Sequence, residues 1–182
     1  MKKLLILLFL SFFSLINSFA NELNIIDLSK AKWEYRWGDS PFENNIPSWT
    51  TQKDKTSQWQ KIAYPSNPPK RDGKTNVWYR VKLPATLTKD PYVYISSIDL
   101  IAQAYIKGKQ IYHFGEFDKE GKGQFKGWPW HMFSLPGNVQ GEYLYFRVYS
   151  YYLDVGLFGE ILISSKGNII EKILRNDISR GN

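Results

Sequence analysis

The sequence predicts an all-β domain, folded as a two-sheet sandwich or barrel, and three observations predict it. About eight or nine short runs rich in β-branched and aromatic residues follow one another, with Gly, Pro, Asn or Asp between them. Several of these runs alternate apolar and polar side chains, as a strand with one buried face requires. No long stretch between residues 21 and 165 keeps a helical period, which leaves sheets packed on sheets as the architecture.

The first strand is expected at Trp33-Glu34-Tyr35-Arg36-Trp37, where rings alternate with charges until Gly38-Asp39-Ser40-Pro41 stops the run. From Pro41 to Gln58 the chain is largely polar and broken by Pro47, so it reads as a long surface loop. A short strand over Trp59 to Ala63 comes next, followed by a second long loop from Tyr64 to Thr75 that carries three Pro and three basic residues. Strands are then expected at Asn76 to Leu83, ending at Pro84, at Tyr92 to Ile95 and at Ile101 to Ile106. Lys107-Gly108 is a two-residue hairpin connection into Lys109 to Phe114, with Gly supplying the positive φ of a tight turn. Further strands fit Trp130 to Leu135, Tyr143 to Tyr149 and Gly159 to Ser164. Only the end departs from this pattern, because Ile169, Ile170, Ile173 and Leu174 share one face of a short helix, which makes 166–182 a helical tail or linker.

The N-terminus has the three regions of a secretory signal peptide: Lys2-Lys3, an apolar run from Leu4 to Leu10 that resumes at Phe12, and small residues before a cut after Ala20. Retention as a membrane anchor is the competing reading, but Leu4 to Ile16 falls short of the ~20 residues a bilayer requires. Removing residues 1–20 leaves 162 residues and takes away Lys2 and Lys3, lowering the formal charge from +7 to +5. That length is one domain, exported to the periplasm or to the outer face of the cytoplasmic membrane. With no Cys, disulfides and thiolate metal sites are excluded. The basic residues are scattered through turns among acidic ones, so the balance reads as a solvated surface rather than a nucleic-acid interface.

Catalytic chemistry finds little footing. His113 and His131 are the only two histidines, and neither has a second His at helical spacing to make a zinc site. Gly-x-Ser-x-Gly is absent, and so is a Gly-rich phosphate loop. Carboxylates such as Asp72, Asp90, Asp118 and Glu120 lie in turns, but no motif selects a glycosidase pair among them. The expectation is therefore a protein that is not an enzyme and has no cofactor or metal. Aromatics are in excess, with seven Trp and twelve Tyr, and rings serve both as core filler and as stacking surfaces for sugars. Trp33, Trp37, Trp78, Tyr94 and Tyr145 lie inside strands and read as core. Trp128 and Trp130 flank Pro129 at the end of a Gly- and Lys-rich loop, and together with the adjacent His131 they are the candidate ligand-binding residues.

The order of several segments resembles a known family. Trp33 is followed by Trp59-x-x-Ile62 with Pro65, then by Val77-Trp78-Tyr79-Arg80-Val81 with Leu83-Pro84, and then by Ile98-Asp99. After these come Ala104 to Lys109, Phe114-Gly115, Phe133 to Pro136 and Tyr143 to Val148. This series is similar to the galactose-binding-like jelly-roll domain at the front of family 2 glycoside hydrolases. More closely still, it resembles the extracellular β-domain of bacterial seven-transmembrane signalling receptors. The resemblance implies a jelly-roll β-sandwich in which Arg80 pairs within the sandwich and Asp99 fixes a strand corner. It carries no catalytic residue across, since the glycosidases keep catalysis in a separate barrel.

Taken together, these readings give an extracytoplasmic sensory or ligand-binding module for a carbohydrate-like or small polar ligand, with a membrane signalling protein as its expected partner. Loops 40–58, 64–76 and 115–130 are expected to form its rim. A structural or protein-interaction subunit of the envelope is the alternative, and a glycoside hydrolase is the third reading.

Overall fold

The computed structural model describes residues 23–51 and 58–180. Residues 1–20, read above as a signal peptide, lie outside the described residues, as does part of the 41–58 loop. The described strands, numbered in chain order, form two antiparallel sheets and a small hairpin. The first sheet runs in the order β1 (Ile26–Asp27), β12 (Leu157–Ser165), β7 (Pro91–Ile98), β10 (His131–Ser134). The second has six strands: β5 (Gln60–Ile62), β2 (Trp33–Trp37), β6 (Asn76–Lys82), β11 (Tyr143–Tyr149), β8 (Ile101–Ile106) and β9 (Lys109–Phe114). The hairpin pairs β3 (Phe42–Glu43) with β4 (Ile46–Pro47), and one helix, α1 (Lys166–Arg180), follows β12. The predicted strands are all present, with ends shifted by a few residues.

Alternation explains which side chains meet between the sheets. In β6, Val77, Tyr79 and Val81 point inward, and in β11, Leu144, Phe146 and Val148 do the same. Trp33, Ile95, Phe133 and Ile163 close the same core, with Trp33 against Phe146 at 6.1 Å between ring centroids. Each such large buried side chain contributes roughly 1.5–3 kcal/mol relative to exposure. The Lys107-Gly108 connection is as expected, although both residues take positive φ, 50° and 78°, which places Lys107 where a side chain is disfavoured.

Two expectations need correction. The 41–58 segment is not simply a surface loop, because β3, β4 and the turn after them bury Trp49 and Thr50 against the outer face of the six-stranded sheet. Its polar composition concealed a single large ring that anchors it. The four apolar residues of the C-terminal helix do not share one buried face either. Ile169 and Ile173 pack on Tyr94 and Leu162, on the outer face of the four-stranded sheet, whereas Ile170 and Leu174 are exposed. A step of one residue turns a helix by about 100°, too far for both pairs to reach a flat sheet.

Candidate functional site

At one end of the sandwich three connections converge: the 64–75 loop, the 115–130 loop and the turn after β11. Arg71 holds that turn in place. Its guanidinium donates to the backbone carbonyls of Ser150, Tyr152 and Leu153, each at 2.7 Å, and to Lys74 O at 2.8 Å. Asn67 completes the clamp, accepting from Val155 N and donating to the Asp154 carboxylate, both at 2.8 Å.

Beneath the turn sits Asp99, at the corner between β7 and β8 and 7% exposed. Burial pushes its carboxyl above the ordinary carboxylate value. Hydrogen bonds from the Ser150 hydroxyl and the Trp128 side chain, and the charge of Arg71, oppose that rise, while Asp154 adds to it. The result is a carboxylate roofed by rings. Trp128, 67% exposed, meets Phe125 edge-on at 4.8 Å, and Phe125 meets Tyr152 at 6.3 Å. Tyr151 lies 4.5 Å from Tyr152, and Leu153 beside them is 92% exposed. An exposed ring platform next to polar groups can stack an apolar ligand face while hydroxyls find partners at its margin.

The three predicted ligand-binding residues do not form one site. Trp128 belongs to this platform. Trp130 is half exposed but leans on Tyr94, at 6.2 Å, over the outer face of the four-stranded sheet. His131 is a correction: it is 2% exposed, because the strand reverses side-chain direction at each residue and turns its imidazole into the interior. There its Nδ1 lies 2.7 Å from the Tyr112 hydroxyl, Phe114 packs edge-on at 4.7 Å, and Nε2 has no partner among the described residues. Burial lowers its pKa to about 4. A ligand on the outer surface does not reach it. Arg71, Asn67 and Tyr152 were missed by sequence reasoning, and the pairing of an Asn-Pro-Pro loop with a Tyr-Tyr-Leu turn carries no local signal.

The outer face of the six-stranded sheet is a second concentration of polar and aromatic groups. Arg147 pairs with Asp39, donates to Gln103 at 3.0 Å, and lies against Phe42 and Phe117. Trp78 Nε1 also donates to Asp39, at 2.9 Å. Gly121, with φ +73°, approaches so closely that a Cβ there would fall 3.0 Å from the Arg147 guanidinium. Arg80 pairs with Glu34 at 2.6 Å, on the outer face of the sheet. Among the described residues no group of three or more His, Asp or Glu is arranged to hold a metal ion.

Comparison with known proteins adds the fold and no more. No family model matches the chain, and no curated protein matches it in sequence. Solved structures do match. A family 2 glycosyl hydrolase from Bacteroides cellulosilyticus superposes with a TM-score of 0.53 and 14% identity, over 78% of this chain and 20% of that one. A β-glycosidase from Bacteroides vulgatus gives 0.53 and 12%, over 77% and 20%. A β-glucuronidase from Bacteroides uniformis gives 0.52 and 12%, over 77% and 17%. The chain thus spans about a fifth of the length of the structures it matches. It has the galactose-binding-like jelly-roll fold, shared with a part of these glycosidases.

Proposed function

We propose that the protein is a non-catalytic, extracytoplasmic ligand-binding module that takes a carbohydrate-like ligand on the Phe125, Trp128 and Tyr152 platform. The observation that carries this reading is a set of exposed rings arranged beside a buried carboxylate, with the turn that carries Tyr152 held by the Arg71 clamp. Hydrophobic burial alone would have turned those rings inward. The signal-peptide pattern of residues 1–20 supports export, and occupancy of the platform is then reported to a membrane signalling partner. Titration with neutral oligosaccharides, followed by Trp fluorescence, tests the binding. A saturable change that disappears in Trp128→Ala is expected. Binding that survives both Trp128→Ala and Tyr152→Ala removes the platform as the site.

An envelope protein-interaction role is the second reading. Ile170, Leu174 and Ile178 form an exposed apolar line along α1, and such a line favours a protein contact. Pull-down of a membrane partner that is lost in Leu174→Glu, with no saccharide response, selects that reading.

A further inference from the structure

The outer face of the six-stranded sheet is covered over its middle by the 39–51 segment, but near the opposite end of the sandwich it opens into a groove of about 580 Å³. Register dictates what lines it. Lys82 stands opposite Tyr143, Arg80 opposite Tyr145, and Tyr145 in turn opposite Tyr105, so the cations of β6 face the rings of β11 and β8 on one face of the sheet. Lys107, from the hairpin turn after β8, adds a third cation at the rim. Two of the three are already balanced, Arg80 by Glu34 at 2.6 Å and Lys107 by Glu142 at 2.9 Å. Lys82 has no ion pair among the described residues, which leaves the cluster of three cations and two carboxylates with one positive charge in excess.

The rings make the groove more than a basic patch. Arg80 is held between Trp59 and Tyr143, 4.4 and 4.5 Å from their ring centroids, so its guanidinium is fixed in direction before any ligand arrives. Tyr143 and Tyr145 meet at 6.0 Å and 46°; the half-buried Tyr143 forms the wall and the buried Tyr145 backs it, and the Tyr143 hydroxyl makes no hydrogen bond among the described residues. A planar or ring-shaped ligand with an acidic substituent matches these features: its apolar face lies on the Tyr wall, its hydroxyls meet the Tyr143 hydroxyl, and its negative group meets Lys82 and the edge of Arg80. A small inorganic anion uses the charge but not the wall. A neutral sugar uses the wall but leaves Lys82 unanswered.

We propose that this groove is a second binding site, separate from the Trp128 platform, and that it takes a saccharide carrying a carboxylate or sulfate group. The probes are trigalacturonate, a chondroitin sulfate disaccharide and, as the neutral comparison, maltotriose, each titrated calorimetrically into the purified protein at fixed salt. Saturable binding of at least one acidic probe is expected, weakened about tenfold or more by Lys82→Glu and measurably by Lys107→Ala, with Trp128→Ala without effect on it. Lys89→Glu, the same charge change in the exposed turn before β7, is expected to leave the affinity within about twofold. Four results overturn the proposal: no saturable binding of either acidic probe, equal weakening by Lys89→Glu, full competition by inorganic sulfate at equal concentration, or binding that ignores Lys82→Glu and vanishes in Trp128→Ala. The last of these assigns acidic glycans to the loop end and leaves the platform reading standing.

Discussion

At the loop end Trp128 stands 67% exposed, whereas Trp49, Trp59 and Trp78 on the outer face of the six-stranded sheet are nearly inaccessible. The residue type is the same, and so is its position on the outside of the sandwich. What differs is the cover. Trp78 lies against Trp49 at 6.1 Å and Tyr105 at 5.5 Å, and the Asp39–Arg147 pair fastens the chain that carries Trp49 across it. Among the described residues nothing folds over Trp128; the Arg71 clamp instead holds the neighbouring turn in place and leaves its rings outside. The lesson is that an aromatic residue becomes core or contact surface through what a distant segment does. An ion pair decides it in one region, and a set of carbonyl acceptors in the other.

The comparison breaks most decisively on a pair of substitutions. Trp78→Ala is expected to cost about 4 kcal/mol in urea unfolding and Trp128→Ala, which gives up one hydrogen bond to Asp99 and little buried surface, about 1 kcal/mol, so equal losses would dissolve the distinction. Asp39→Ala leaves the buried Arg147 guanidinium unpaired and is expected to cost about 3 kcal/mol, with a substantial part returning in Asp39→Ala combined with Arg147→Met. If the double variant is no better than the single, the pair is not what holds the cover.

A third test uses pH. His131 has its folded pKa depressed by burial to about 4, below its ordinary 6.5. Between those values the unfolded chain binds a proton that the folded chain refuses, so stability is full above pH 6.5 and falls with acidification until pH 4. The total is up to about 3 kcal/mol. His131→Gln should flatten that slope in thermal denaturation, and a slope that persists would show that other groups carry it. A smaller effect than those of Trp78, Asp39 and His131 is expected at the clamp. Arg71→Ala is expected to cost about 2 kcal/mol for its lost charged hydrogen bonds, with faster amide hydrogen exchange confined to 150–155. Exchange that rises throughout the sheets would mean the clamp supports the fold rather than the platform.

The strands were legible because each signals locally. Trp33 to Trp37 alternates, Lys107-Gly108 turns, and Tyr143 to Tyr149 is a β-rich run. The platform was legible only at Trp128, where a Gly- and Lys-rich loop marks exposure. His131 misled because a two-residue step along the chain from Trp130 to Met132 hides a reversal of direction at the residue between them. The groove could not be read at all, because Arg80, Lys82, Lys107 and Tyr143 come from two strands and a hairpin turn that are far apart in sequence.

By itself the sequence determined the all-β class, the positions of the strands, the hairpin at Lys107-Gly108 and the helix at the end, since each follows from periodicity, turn chemistry and backbone freedom within a few residues. Tertiary structure alone decided which outward rings are covered, that His131 faces the interior, and that cations from β6 and from the hairpin turn after β8 share one groove. Those outcomes depend on pairing register and on contacts such as Asp39 with Arg147, 108 residues apart, and no local propensity encodes an encounter at that separation.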